Sequence, residues 1–209
     1  LARSLDSLTE LAIRLAQFTE AEELQTRALR IRTASLGPDD PEIAISLTLL
    51  GRLQRARGHY NEALTNYQRA LRIREASLGS GDPDVGTSLN NLAELHEDQG
   101  RFAEAESLYK RALEIRENAR GPGHIEVGAT LNSLAGLYRA QGRYADAEPL
   151  LRRGLKIRET VAGTDHPDVG TSLNELAALY RLQGRYAEAE PFYTRALAIR
   201  EIALGPDHP

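Results

Sequence analysis

Apolar residues recur along this chain with two periods, one of three to four residues and one of 42. Over 89–96, Leu89, Leu92, Ala93, Leu95 and His96 form the i, i+3, i+4, i+7 stripe of an amphipathic helix. Gln99-Gly100-Arg101 ends it, since glycine takes the left-handed conformation past a helix terminus. Phe102, Ala105, Tyr109, Ala112 and Leu113 mark a second helix that stops before Gly121. Pro41, Pro83 and Pro167 stand where the next pair begins, because proline suits a first helical position, and Ile125 takes that place once.

The long period multiplies this pair. Gly58, Gly100, Gly142 and Gly184 keep one spacing. Leu5, Leu47, Leu89, Leu131 and Leu173 keep it too, as do Ile31, Ile73, Ile115, Ile157 and Ile199. Ala28, Ala70, Ala112 and Ala196 follow, with Gly154 in the fourth copy. Five copies in register predict an all-α chain of stacked antiparallel helix pairs, bounded near 1–40, 41–82, 83–124, 125–166 and 167–209. Small residues at 51, 93, 135 and 177 admit a close helix approach, and aromatics at 60, 102, 144 and 186 are predicted to fill the core beside them. Pro149 and Pro191 are read as lying inside the first turn of their helices, where proline costs little.

Leu173, Leu176, Ala177, Gly184, Tyr186, Ala189, Tyr193, Ala196 and Leu197 together resemble the tetratricopeptide repeat. The 42-residue period, with Asp165-His166-Pro167-Asp168-Val169 and Ile157-Arg158-Glu159, is similar to the long-helix subtype of kinesin light chains. The resemblance implies one right-handed α-solenoid superhelix over 1–209, with a concave groove lined by the first helix of each copy. It departs in copy one, where Thr9, Ala16 and Gln25 replace small, glycine and aromatic positions.

Composition narrows the function classes. The chain has no cysteine, which removes thiol and disulfide chemistry and fits a cytoplasmic setting. No apolar run is long enough for a membrane span. A net charge of −4 without a basic run argues against nucleic acid. There is no methionine, and Asp207-His208-Pro209 reads as the start of a sixth copy, so a piece of a longer protein is expected, with an apolar face at the end of copy five.

No constellation for chemistry emerges. His124, His166 and His208 are spaced as a ladder and are read as loop or helix-cap residues, with no metal or cofactor site implied. His96 is read as a core residue, since Tyr138 and Tyr180 hold its position in later copies. No nucleophile is paired with a base, so the chain is not read as an enzyme. Arg27, Arg69, Arg111, Arg153 and Arg195 form another ladder, read as a solvated face opposite first-turn acids such as Glu62, Glu104 and Glu188.

A partner would meet outward positions that vary between copies. Opposite the apolar stripe of the first helices lie Ile45, Leu49, Arg52 and Ala56, then Thr87, Asn91, Glu94 and Asp98. Ala129, Ser133, Gly136 and Ala140, and Thr171, Glu175, Ala178 and Leu182, continue the series. A flanking strip carries Thr48, Asn90, Asn132 and Asn174, followed seven residues later by Arg55, Glu97, Arg139 and Arg181 in turn. Asparagine both donates and accepts, so it holds an extended peptide backbone, and arginine forks onto acids. The expected ligand is thus a peptide or protein with acidic groups, held by Asn90, Asn91, Asn132, Asn174, Arg52, Arg55, Arg139, Arg181 and Leu49. The competing reading is that the asparagines bond only the neighbouring helix. Two other roles stay open: a spacer or oligomerisation module associating end to end, and the sensor arm of a larger signalling protein.

Overall fold

The computed structural model describes residues 2–15 and 17–204, and every element in them is a helix. The reading of Asp207-His208-Pro209 and of Ala16 lies outside these residues. Two compact units divide the chain, Leu1–Ile115 and Arg116–Pro209.

In the first unit α1 (Ala2–Arg14) pairs with α2 (Phe18–Leu36), α3 (Pro41–Ala56) with α4 (Tyr60–Leu78), and α5 (Pro83–Asp98) with the first part of α6 (Phe102–Arg120). In the second, α7 (Ile125–Ala140) pairs with α8 (Tyr144–Ala162), and α9 (Pro167–Leu182) with α10 (Tyr186–Leu204). First helices have 16 residues from α3 onward and second helices 19. Their starts are chemical. Asp40 and Asp82 accept from the amides of Glu42 and Asp84, with Pro41 and Pro83 at the first helical position. At α7 and α9 a histidine does the same work: His124 and His166 Nδ1 accept from the Glu126 and Asp168 amides at 3.3 and 3.2 Å. First helices stop because Gly100 and its counterparts adopt φ near 72°.

Repeating apolar positions make the core. Ile43, Ala44 and Leu47 pack on Ala70 and Ile73, and Val85 and Leu89 pack on Ala112 and Ile115. Gly51 lies directly under the ring of Tyr67, so a Cβ there would overlap it. Two expectations change. Tyr60, Phe102 and Tyr144 are only half-buried and Tyr186 is exposed, since each sits at the first turn of its helix, at the rim of the junction. Pro149 and Pro191 are the sixth residues of α8 and α10, in the second turn and not the first, and at Pro149 the consequence is plain. It forgoes one backbone bond, and the helix nonetheless runs on to Ala162.

Candidate functional site

Within the first unit, the outward faces of α3 and α5 open onto one cleft of about 660 Å³. Arg52, Arg55 and Ala56 supply one wall, Asn91, Glu94 and Asp98 the other, with Thr48, Thr87 and Ile13 completing it. Three first helices contribute because α1 and α5 both pack beside α3. In the second unit Asn132, Gly136, Arg139 and Glu175 line a much smaller depression.

The cleft is charged and internally paired. Arg55 donates through Nε to Asp98 at 2.5 Å and also to Glu94. Burial works against the Arg55 cation, but its hydrogen bond to Asp98 and the charges of Glu94 and Asp98 prevail and raise its pKa. Arg52 makes an exposed pair with Glu10 at 3.2 Å. Glu97, beside these acids, accepts from the Tyr109 hydroxyl at 3.2 Å. Burial pushes its carboxyl above the usual range, with Asp98 and Glu94 adding repulsion.

The residues singled out in the sequence divide accordingly. Arg52, Arg55 and Asn91 line the cleft. Leu49 does not, being buried with 5% of its surface exposed, so its side chain belongs to the packing. Arg139 and Arg181 are exposed. Asn90, Asn132 and Asn174 are half-buried, and the Asn90 side chain is engaged within the protein. Asn132 Nδ2 donates to Glu175 on α9 at 2.5 Å, which is the competing reading of that strip. Its Oδ1 stands over Gly154, where an added Cβ would displace it, although Asn90 and Asn174 stand in the same register to Ala112 and Ala196.

The physical reason lies in a ladder that the sequence reading passed over. Arg32, Arg74 and Arg116 are buried charged residues at the 42-residue spacing, with Arg158 half-buried. Each donates to a hydroxyl on the next first helix: Arg32 to Ser46 at 2.7 Å, Arg74 to Ser88 at 2.6 Å, Arg116 to Thr130, Arg158 to Ser172. Arg32 also bonds Asp6, and Arg74 bonds Thr48, at the position the asparagines hold in later copies. That strip therefore adjoins buried guanidinium groups. The signal was present as two repeating series, arginine and hydroxyl, both at 42 residues.

The outer arginine ladder also differs from expectation. Arg111, Arg153 and Arg195 pair with Glu75, Glu117 and Glu159, near the end of the preceding second helix. Arg69, Arg153 and Arg195 reach the carbonyls of Pro38, Pro122 and Thr164 as well. The first-turn acids Glu104, Asp146 and Glu188 are taken instead by Arg101, Arg143 and Arg185, three residues before them.

The tetratricopeptide repeat model matches residues 2–76, 84–160 and 129–202. The chain belongs to the tetratricopeptide repeat family. Among solved structures it is similar to BtubC (BKLC) from P. vanneervenii, at 29% identity and a TM-score of 0.83, covering 100% of this chain and 83% of that one. A Podosopora anserina putative kinesin light chain with nearly identical TPR-like repeats follows at 26% and 0.78, covering 96% and 95%. The apo form of RapI shares the fold at 16% and 0.65, over 96% of this chain and 83% of that one. A comparison with curated proteins finds no match. These kinesin light chain-like neighbours match the long-helix subtype in which repeats of this family stack. Such stacks present extended binding surfaces, so the chain is of the protein-interaction scaffold type.

Proposed function

We propose that this chain holds an extended peptide segment of a partner protein against the outward faces of its first helices. One observation carries the reading: copy-variable outward positions of α3 and α5 line a single open cleft. Residues that repeat in every copy, such as Leu47, Leu89 and Ile73, are consumed by the core. Asn91 offers a neutral amide in the cleft, suited to a peptide backbone, while the Thr48 and Thr87 hydroxyls donate to the Ala44 and Pro83 carbonyls of their own helices.

The charges refine the ligand. Arg55 is already held by Glu94 and Asp98, so an acidic ligand group meets Arg52, whose pair with Glu10 is exposed and weak. In the second unit Arg139 and Arg181 are exposed cations for further acids. The reading is tested with peptides selected from a displayed random library on this 209-residue chain. Selected peptides are expected to carry Asp or Glu. Arg52→Glu and Asn91→Ala are each expected to weaken them about tenfold with the melting temperature unchanged. Binders unaffected by both changes would place the ligand elsewhere.

A further inference from the structure

Arg55 reaches across the cleft from α3 to α5 and engages all three of its side-chain nitrogens there. Nε and Nη2 donate to the two carboxylate oxygens of Asp98 at 2.5 and 3.3 Å, and Nη1 donates to Glu94. Arg139 holds the same position two copies on, where Ala178 and Leu182 replace the two acids, and it is exposed. The clamp is thus particular to this cleft, since no other first helix carries acids at both of these positions.

The same cleft region holds a hydroxyl without a partner. Tyr67 of α4 is 1% exposed, and its hydroxyl oxygen is buried with no hydrogen bond. Burial, before any charge, raises its pKa, and the charges acting on it are those of Arg55, Glu94, Arg52 and Asp98, which line the cleft. One copy later the equivalent hydroxyl is satisfied, because Tyr109 donates to the Glu97 carboxylate at 3.2 Å. Glu97 stands 42 residues after Arg55, so copy three carries its own carboxylate where copy two has a cation. An unmet buried donor is unfavourable, and a carboxylate supplied by a ligand would meet it.

We propose that the clamp is an autoinhibitory latch over a carboxylate site. An acidic side chain of the bound peptide draws Arg55 away from Glu94 and Asp98, then accepts from Arg55 and from the Tyr67 hydroxyl together. It thereby takes the part that Glu97 plays for Tyr109 in the next copy. While the latch is shut, Glu94 and Asp98 compete for Arg55 and repel the incoming acid, so peptides that bind weakly elsewhere are turned away. A latch of this kind presupposes that peptides bind in the cleft. It adds a second acid to the one that meets Arg52.

Peptides carrying Asp or Glu test this by calorimetry, selected from a displayed library on the 209-residue chain and on its Glu94→Gln, Asp98→Asn double variant. The double variant is expected to bind them about tenfold tighter. Adding Arg55→Gln is expected to abolish that gain, and adding Tyr67→Phe to weaken binding about fivefold. Tyr67→Phe alone is expected to leave the melting temperature unchanged or raised, since it deletes an unpaired hydroxyl. Glu97→Gln removes a neighbouring charge without releasing Arg55, and is expected to change affinity by less than about twofold. No gain in the double variant, a gain that survives both Arg55→Gln and Tyr67→Phe, or an equal gain from Glu97→Gln would overturn the latch. If wild-type binding is still weakened by Arg52→Glu and Asn91→Ala, such a result leaves peptide binding in the cleft standing. If neither protein yields a binder, both fall.

Discussion

Gly154 and Asn132 meet between α8 and α7. The amide of Asn132 reaches Glu175 across α9 while its oxygen occupies the space a Cβ at 154 would need. Gly154→Ala makes the Asn132 amide shift, but Asn90 and Asn174 stand in the same register to Ala112 and Ala196. With alanine's better helix propensity, the change is expected to fall within about 1 kcal/mol of zero. Denaturant unfolding measures it, and in the Asn132→Ala background the substitution is expected to become stabilising, a coupling that a double-mutant cycle reads. Glu97 gives a prediction in pH. Burial raises its carboxyl pKa, so the folded state binds the proton more tightly than the unfolded one. Its contribution favours folding below the ordinary carboxylate range and is lost as pH rises through the raised value. Glu97→Gln is thus expected to flatten that fall and to be neutral or stabilising at pH 7, since the amide oxygen still accepts from Tyr109. A melting curve that loses stability at pH 7 would contradict this.

Between elements, consecutive pairs are joined by buried arginine and hydroxyl as well as by leucine. Burial lowers the pKa of Arg74, and the carboxylates of Asp84 and Asp82 oppose that shift. Removing its hydroxyl partner leaves a desolvated donor unsatisfied. Ser88→Ala is therefore expected to destabilise by about 1–3 kcal/mol, whereas Ser4→Ala, at an exposed position, is expected to fall within about 0.5 kcal/mol of zero. Parallel urea titrations of the two variants compare them. Glu148 of α8 shows the opposite pH sign to Glu97. Burial alone would raise its carboxyl, but hydrogen bonds from Tyr180, Arg185 and Arg152 bring it down to about 2. Its stabilising part is complete above the ordinary carboxylate range and is lost as pH falls toward about 2. Glu148→Gln is expected to remove that acid-side loss, leaving a lower but flatter stability curve between about pH 5 and pH 2.

At the scale of the whole molecule, each helix pair touches mainly its sequence neighbours, so stability accumulates locally along the chain. Leu131 is fully buried in α7, and Leu131→Ala is expected to cost about 2–5 kcal/mol. Hydrogen exchange is expected to show the lost protection concentrated in α7, α8 and α9, with α3 and α4 nearly unchanged. A uniform loss would mean the array unfolds as one cooperative block.

The 42-residue period, the helix pairs and the core leucines were legible in the chain because a repeating backbone environment imposes the same residue type at the same interval. Helix starts were legible too, as the caps act within a few residues: Asp82 or His166 bonds an amide two positions on. Partners across helices were not. The sequence alone could not say that Leu49 turns into the packing, or that Arg55 is already satisfied by Glu94 and Asp98. The arginines at 111 and 153 read correctly as a surface ladder, but nothing along the chain marked those at 74 and 116 as buried. Those outcomes depend on which side chains meet once neighbouring pairs have packed and water has been excluded between them, and periodicity along one chain carries no distance between two helices.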